Sequence, residues 1–388
     1  MGEVKKIAVI LGTRSDAVKL APVILQLQLH EQFFSLCIIS AAPNRESISD
    51  VLAIFHISPS YDLSVAGMRQ SLSVLAQNML EKMDYVLAVE SPDMVIVQGD
   101  TVTTFTSALA AFHRRIPVVH VEAGLRSGNR SNPFPDEGYR VMTSRITDIH
   151  CTPTVTAAKI LLSEGIGKEN ILCTGSTSVD ALHQIVKPDH QFPNDHVMES
   201  VRRKERIVVV TVHRPEHISE PMLGICSAVK ELAQRYSSVR FIFPVHLNPS
   251  VRETVFDLFK DIPNMLLLEP MNYADFVNMV ACSTLVITDS GSLQEEAHSL
   301  GKPVILLRDM AEQTEAVRSG AVTVVGTDAK KIVKASSKIL QKRSQTKSKF
   351  TPSNLYGDGR ASVRISELLL KYFGFSKKQP AGFRPKSR

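Results

Sequence analysis

The stretch from Met94 to Arg126 constrains the fold more than any other. Two short runs rich in Val and Ile, Met94-Val-Ile-Val-Gln98 and Ile116-Pro-Val-Val-His-Val121, flank a segment of helical length that contains Ser107-Ala-Leu-Ala-Ala-Phe112. Continuous β-branched runs of this kind mark strands covered on both faces, so the stretch reads as a βαβ unit of a parallel sheet. Each run ends in a glycine beside a carboxylate, at Gly99-Asp100 and at Glu122-Ala-Gly124. Ligands of open parallel sheets bind beyond the carboxyl ends of the strands, which directs both acids into one crevice.

The same alternation runs through the chain. Lys6-Ile-Ala-Val-Ile-Leu11 is a first buried strand, and Gly12-Thr-Arg14-Ser-Asp-Ala-Val-Lys19 turns it into a helix with Leu20, Val23, Ile24 and Leu27 on its apolar face. This turn is neither a G-x-G-x-x-G nor a Walker loop; an Arg, a Lys and free helix amides suit an anionic ligand, and surface cations on a plain turn fit equally well. After Arg126 a breaker-rich loop, Ser127 to Pro135, leads to a helix opening with Asp136-Glu137 and continuing to Arg140. The pattern breaks in the polar segment Lys187 to Asp195 and restarts with Arg206-Ile-Val-Val-Val-Thr-Val-His213. Strand runs recur at Phe241 to His246, Met265 to Leu268, Leu285 to Asp289 and Pro303 to Arg308. Ser290-Gly291-Ser292 opens the helix after the Asp289 strand, and small residues there let phosphate approach helix amides.

At 388 residues the chain favours two domains. The expectation is an α/β fold of two doubly wound domains facing across a cleft: residues 1–177, then 178–359, with the helix at 360–374 packing back on the first and a basic tail at 375–388. No run of about 18 apolar residues occurs, and Met1-Gly-Glu-Val-Lys-Lys6 leads straight into a strand, so a cytoplasmic protein with no membrane partner is expected. Five cysteines without C-x-x-C spacing point to reduced thiols. The formal charge of +6 sits largely in Lys342 to Lys349 and Lys377 to Arg388, read as solvated and mobile segments. With no Trp and no strand combining aromatic and basic residues, nucleic acid is not expected. The scattered histidines lack metal spacing, so no metal is expected either, and no nucleophile elbow is present.

Asp100, Glu122 and Asp136 supply three acids from the first half, and His213 and His246 stand at strand ends of the second. Each has a plain structural use: Asp100 as a helix cap, Glu122 as a partner of Arg126, Asp136 and Glu137 as dipole partners, His213 as a core histidine. Collected at strand ends, they favour acid-base chemistry.

Gly12-Thr-Arg-x-x-Ala-x-Lys19, Gly99-Asp-Thr101, His120-Val-Glu-Ala-Gly-Leu-Arg126, Pro133-Phe-Pro-Asp-Glu137, His213-Arg-x-Glu216, Pro244-Val-His-Leu-Asn-Pro249, Thr288-Asp-Ser-Gly-x-x-Gln-Glu-Glu296 and Tyr356-Gly-Asp-Gly359 occur in this order. Together they resemble the non-hydrolysing UDP-N-acetylglucosamine 2-epimerases of bacteria, from about residue 5 to 373. The resemblance implies a glycosyltransferase-B-like fold, a homodimer, and interconversion of UDP-N-acetylglucosamine and UDP-N-acetylmannosamine. UDP leaves by anti elimination to 2-acetamidoglucal and adds back, with no cofactor, because no hydride moves. Carried over by motif, Asp100, Glu122, Asp136 and His213 are the catalytic candidates, with Asp100 and Glu122 leading. Arg14, Lys19, Arg140, His246, Ser290, Gly291, Ser292, Glu296 and Arg308 are the substrate-binding ones. Arg45, Glu46, Arg69 and Arg214, with His246, are the candidates for an activating second-substrate pocket.

The chain departs from the family pattern at several points. Ser15-Asp16 stands where Pro-Glu is usual, Asp136 where Glu is usual, Ser292 where a second Gly is usual, and Ala311-Glu-Gln-Thr-Glu315 lacks an arginine. Pro43-Asn44-Arg45 replaces the Gln-His-Arg of substrate-activated members, so altered or absent activation is expected. Three alternatives remain open at the level of sequence: a hydrolysing epimerase releasing N-acetylmannosamine and UDP, a weak relative that binds UDP-sugars as a regulatory subunit, and a glycosyltransferase on the same fold.

Overall fold

The structure, a computed structural model, describes residues 3–42, 46–64, 71–212, 220–245, 249–309, 314–341 and 354–385. The chain divides into two units, Met1–Gln184 with Tyr356–Arg388, and Ile185–Leu355.

The first unit is built on seven strands: β1 (Lys5–Leu11), β2 (Phe34–Ser40), β3 (Tyr61–Asp62), β4 (Met94–Gln98), β5 (Val118–Val121), β6 (Ile149–Thr152) and β7 (Ile171–Cys173). All pair in parallel, in the order β3-β2-β1-β4-β5-β6-β7. Parallel neighbours need crossovers, supplied by α1 (Arg14–Gln28), α2 (Glu46–Ile54), α3 (Leu72–Glu90), α4 (Val102–His113), α5 (Asp136–Arg145) and α6 (Val155–Ser163), with α7 (Thr177–Ile185) after the last strand. Strands β4 and β5 are buried along their whole length, which explains their unbroken apolar runs. One core joins Ala8, Ile10, Ile39, Val95, Val97 and Val118 of the sheet to Met79, Met83 and Val86 of α3 and Ala108 and Ala111 of α4.

The second unit has six parallel strands: β8 (Arg206–Thr211), β9 (Val239–Pro244), β10 (Met265–Leu268), β11 (Leu285–Thr288), β12 (Val304–Leu306) and β13 (Val322–Val324), ordered β10-β9-β8-β11-β12-β13. Its helices are α8 (Asp195–Arg202), α9 (Glu220–Arg235), α10 (Pro249–Phe259), α11 (Tyr273–Cys282), α12 (Gly291–Ser299), α13 (Thr314–Arg318) and α14 (Ala329–Leu340). In both sheets the winding reverses beside the first strand, between β1 and β4 and between β8 and β11. Each is a Rossmann-like sheet with its ligand-binding switch point at that reversal.

The last helix, α15 (Ala361–Tyr372), packs on α1 of the first unit. Residues 356–359 also belong there: Tyr356 is fully buried, and its carbonyl accepts the Ser176 amide at 2.7 Å. The Asp180 carboxylate accepts the Ala361 and Ser362 amides and so caps α15 from α7. The basic tail departs from the solvated segment read from its charge. Phe375 packs on Phe33 with ring centroids 4.9 Å apart, and Phe383 is 2% exposed, its amide donating to the Cys173 carbonyl on edge strand β7. Two phenylalanines outweigh Lys377 and Lys378 beside them, both exposed, with Lys378 reaching Glu367 at 2.8 Å. All five cysteines are free, three of them buried, while Cys282 is exposed at the end of α11. No helix among the described residues is long and apolar enough to cross a membrane.

Candidate functional site

Three neighbouring strand ends, those of β1, β4 and β5, build the site of the first unit. After β1, Thr13 caps α1 in a reciprocal box with Asp16. Gly12 is obligatory there, since a Cβ would lie 2.6 Å from that of Thr103 on α4. After β4, Gly99 takes φ +76 and Thr101, not Asp100, caps α4. Asp100 is left for another partner: Arg140 of α5 donates from Nε at 2.8 Å and from Nη2. After β5, Glu122 adopts φ +65, a left-handed conformation costly for a residue with a Cβ.

The Glu122 carboxylate does not turn to Arg126, which is taken by Glu164 at 2.8 Å. Lys19 of α1 places Nζ 2.6 Å from both Glu122 oxygens, and the Gln98 amide donates to Oε2. The Lys19 and Glu122 side chains are 9% and 10% exposed, so this ion pair is nearly dry. Asp16 sits between the two cation-acid pairs in electrostatic terms. Burial pushes its carboxyl up to about 6 and Asp100 adds to the rise, while the Thr13 hydroxyl, the Gly12 amide and Lys19 oppose it.

The two acids opening α5 divide their roles. Glu137, 2% exposed, accepts the Ser127 and Gly128 amides at 2.9 and 3.0 Å and Arg140 Nη1 at 3.3 Å. Asp136, one residue earlier, stays half-buried. Glu137 thus fastens the loop before α5 to the arginine that holds Asp100. Arg14 points to Asp50 of α2, at 2.7 Å.

In the second unit the β11–α12 turn forms a site of its own. The Ser290 hydroxyl accepts the Leu293 amide at 3.3 Å, its amide donates to Thr288 Oγ1 at 3.0 Å, and Ser292 Oγ lies 3.2 Å from it. A Cβ on Gly291 would sit 3.2 Å from Arg308 Nη1, so the guanidinium from beyond β12 lies against the opening of α12. Helix amides and a guanidinium converging on a turn without a bulky side chain suit a phosphate group. Glu296, one turn further along, is buried and accepts the Tyr273 hydroxyl at 2.8 Å.

The structure therefore brings together Asp100, Glu122, Lys19 and Arg140 in one unit, with Asp136 at the head of the neighbouring helix, and Ser290, Gly291, Ser292 and Arg308 in the other. His213, His246, Arg45, Arg69 and Arg214 lie outside the described residues, and Glu46 opens α2. Gln98 and Asp16 escaped the sequence reading as parts of the site, and of the two acids opening α5 that reading singled out Asp136. The missed signals were a polar residue inside a buried strand (Gln98) and an acid three residues after a Thr cap (Asp16).

Comparison with known proteins shows the family of the chain. A family model described as UDP-N-acetylglucosamine 2-epimerase matches residues 27–370. The UDP-N-acetylglucosamine 2-epimerase of Bacillus subtilis is 40% identical over 378 residues, covering 97% of this chain and 98% of its own. Among solved structures, the Neisseria meningitidis UDP-GlcNAc 2-epimerase bound to UDP-GlcNAc is 37% identical with a TM-score of 0.87, over 94% of this chain and all of its own. The Staphylococcus aureus MnaA–UDP structure is 36% identical with a TM-score of 0.91, over 98% and 100%. This chain belongs to the UDP-N-acetylglucosamine 2-epimerase family.

Proposed function

We propose that the chain interconverts UDP-N-acetylglucosamine and UDP-N-acetylmannosamine by eliminating UDP and adding it back, with Asp100 and Glu122 as the acid-base pair. The observation that carries this reading is the placing of two carboxylates, each with its own cation, on the adjacent β4 and β5 ends at a switch point. The C2 proton of the sugar is weakly acidic, so its removal needs the C1–O bond to break in the same event. A carboxylate takes the proton, the C2–H electrons form the C1–C2 double bond of 2-acetamidoglucal, and the C1–O electrons leave with UDP. On return a UDP oxygen attacks C1 while the other face of C2 receives a proton. Two acids of separate origin serve this better than one, because inversion at C2 requires proton removal and delivery on opposite faces. Asp136, at the positive end of α5, is the third acid in reach of such work. In the second unit the Ser290-Gly291-Ser292 turn and Arg308 are assigned to the diphosphate, and Glu296 to the nucleoside. The same reading makes the chain a homodimer.

Incubation with UDP-N-acetylglucosamine in D2O tests the reaction. Both sugar nucleotides are expected to be recovered with deuterium at C2, read by NMR as loss of the H2 signal. Accumulation of UDP with free N-acetylmannosamine, or intact substrate without deuterium, overturns it.

A further inference from the structure

His120 takes no part in the chemistry above, yet it joins the strand that ends in one acid to the residue before the other. It lies on β5 two residues before Glu122, 1% exposed, with Nε2 2.7 Å from the carbonyl oxygen of Gly99. Gly99 is the residue before Asp100, and its amide in turn donates to the Val121 carbonyl at 3.1 Å. Both main-chain polar groups of Gly99 are thereby tied to β5, one by the strand ladder and one by the His120 ring. Gly99 is also at φ +76, where the chain leaves β4 without the guidance of a side chain. Nothing in the ladder alone fixes the direction in which Asp100 departs.

A carbonyl is only an acceptor, so Nε2 carries the proton and Nδ1 is bare. That ring is neutral: burial lowers its proton affinity to about 4, with Arg126 and Arg140 acting in the same sense and Asp100 and the Gly99 bond against it. His150, opposite on β6 and fully buried, is lowered to about 3, chiefly by burial and also by His120. Buried Nδ1 of His120 has no hydrogen-bond partner among the described residues, so a second proton there would gain no acceptor.

We infer that His120 is a positioning residue: its Nε2–H holds the Gly99 carbonyl and so keeps the Asp100 carboxylate in register with that of Glu122. The inference rests on the epimerase reading for its effect on rate, but the tie itself does not. A reacting group displaced by about 1 Å loses on the order of a hundredfold in rate, and Gly99 is the pivot about which Asp100 would move.

The test compares His120→Phe, which keeps a ring and removes the donor, with His120→Gln, which keeps an N–H of similar reach. The expected result for His120→Phe is a kcat lower by about a hundredfold with KM within about twofold of the parent, since a displaced acid alters the transition state more than binding. His120→Gln is expected to recover kcat to within about tenfold. Equal loss in both variants, or parental turnover by His120→Phe, overturns the inference. Nitrogen-15 NMR of the histidine-labelled full chain, with His120 assigned by its absence in His120→Gln, reads the tie without any turnover. An Nε2–H tautomer at neutral pH is expected, and an Nδ1–H tautomer overturns the inference whether or not the variants fold. If the parent fails to exchange C2 deuterium while the Nε2–H tautomer is found, the epimerase reading falls and the tie stands.

Discussion

Replacing Lys19 by Met isolates the electrostatics of the site. Met keeps the length of the unbranched stem, so little packing is lost, but the ammonium 2.6 Å from both Glu122 oxygens disappears. Breaking a buried pair from one side typically costs about 3–5 kcal/mol, because the remaining charge stays out of water. Two features set the cost here. The Gln98 amide still donates to Glu122, which moderates it, while Asp16, also facing Lys19, loses the same cation, which adds to it. A loss of about 3 kcal/mol at neutral pH is expected, shrinking in acid as the carboxylates take up protons. Urea unfolding of the parent, Lys19→Met, Glu122→Gln and the double variant completes a cycle. The double variant should be more stable than the sum of the singles by about 2 kcal/mol. Additivity to within about 0.5 kcal/mol would show that the two groups do not depend on each other, and the dry ion pair would lose its meaning.

Asp16 gives a pH dependence of definite sign. Its carboxyl is raised from 3.8 to about 6, so between those values the folded chain binds the proton that the unfolded chain has released. Its contribution to stability is therefore fully present below the lower value and lost as pH rises through the higher one, a change of about 3 kcal/mol that Asp16→Asn should abolish in pH-dependent unfolding. Phe383→Ala should lower stability by about 3 kcal/mol in thermal or urea melts, because the ring is buried against Gly175 and β7; an unchanged melt would return the tail to solvent. Asp136→Glu adds the methylene that the family resemblance implies at this position and should raise kcat about tenfold with KM little changed, checked by steady-state kinetics. If Pro43-Asn44-Arg45 stands in place of an activator motif, as the family resemblance implies, rate against UDP-N-acetylglucosamine should be hyperbolic, and a sigmoidal curve would refute altered or absent activation.

What the sequence displayed and what it hid have a common physical origin. Strands buried on both faces must be continuous apolar runs, so β1, β4, β5, β8 and β11 are visible as such, and the acids that follow β4, β5 and β11 stand out because the runs stop there. The alternation of strand and helix makes each sheet parallel, which puts those ends on one edge of it. The partner of each acid is another matter. Local pairing suggested Arg126 for Glu122 and a helix cap for Asp100, since four residues or one are what a linear reading can reach. The folded chain instead supplies Lys19 from 103 residues away and Arg140 from 40 away, and Thr101 takes the cap. Nearby groups lose because the backbone leaves them facing elsewhere: Glu122 at φ +65 turns its side chain toward α1, while Arg126 is drawn to Glu164. The same reasoning accounts for Glu137, since adjacent positions on a helix point about 100° apart, so one of two neighbouring acids is buried and the other stays half-exposed. It accounts for the tail as well, where net charge described the lysines but two phenylalanines decided the position. Ion pairs and docking contacts are properties of which elements become neighbours, and a strand end becomes a catalytic candidate only when the helices beside it deliver the opposite charge.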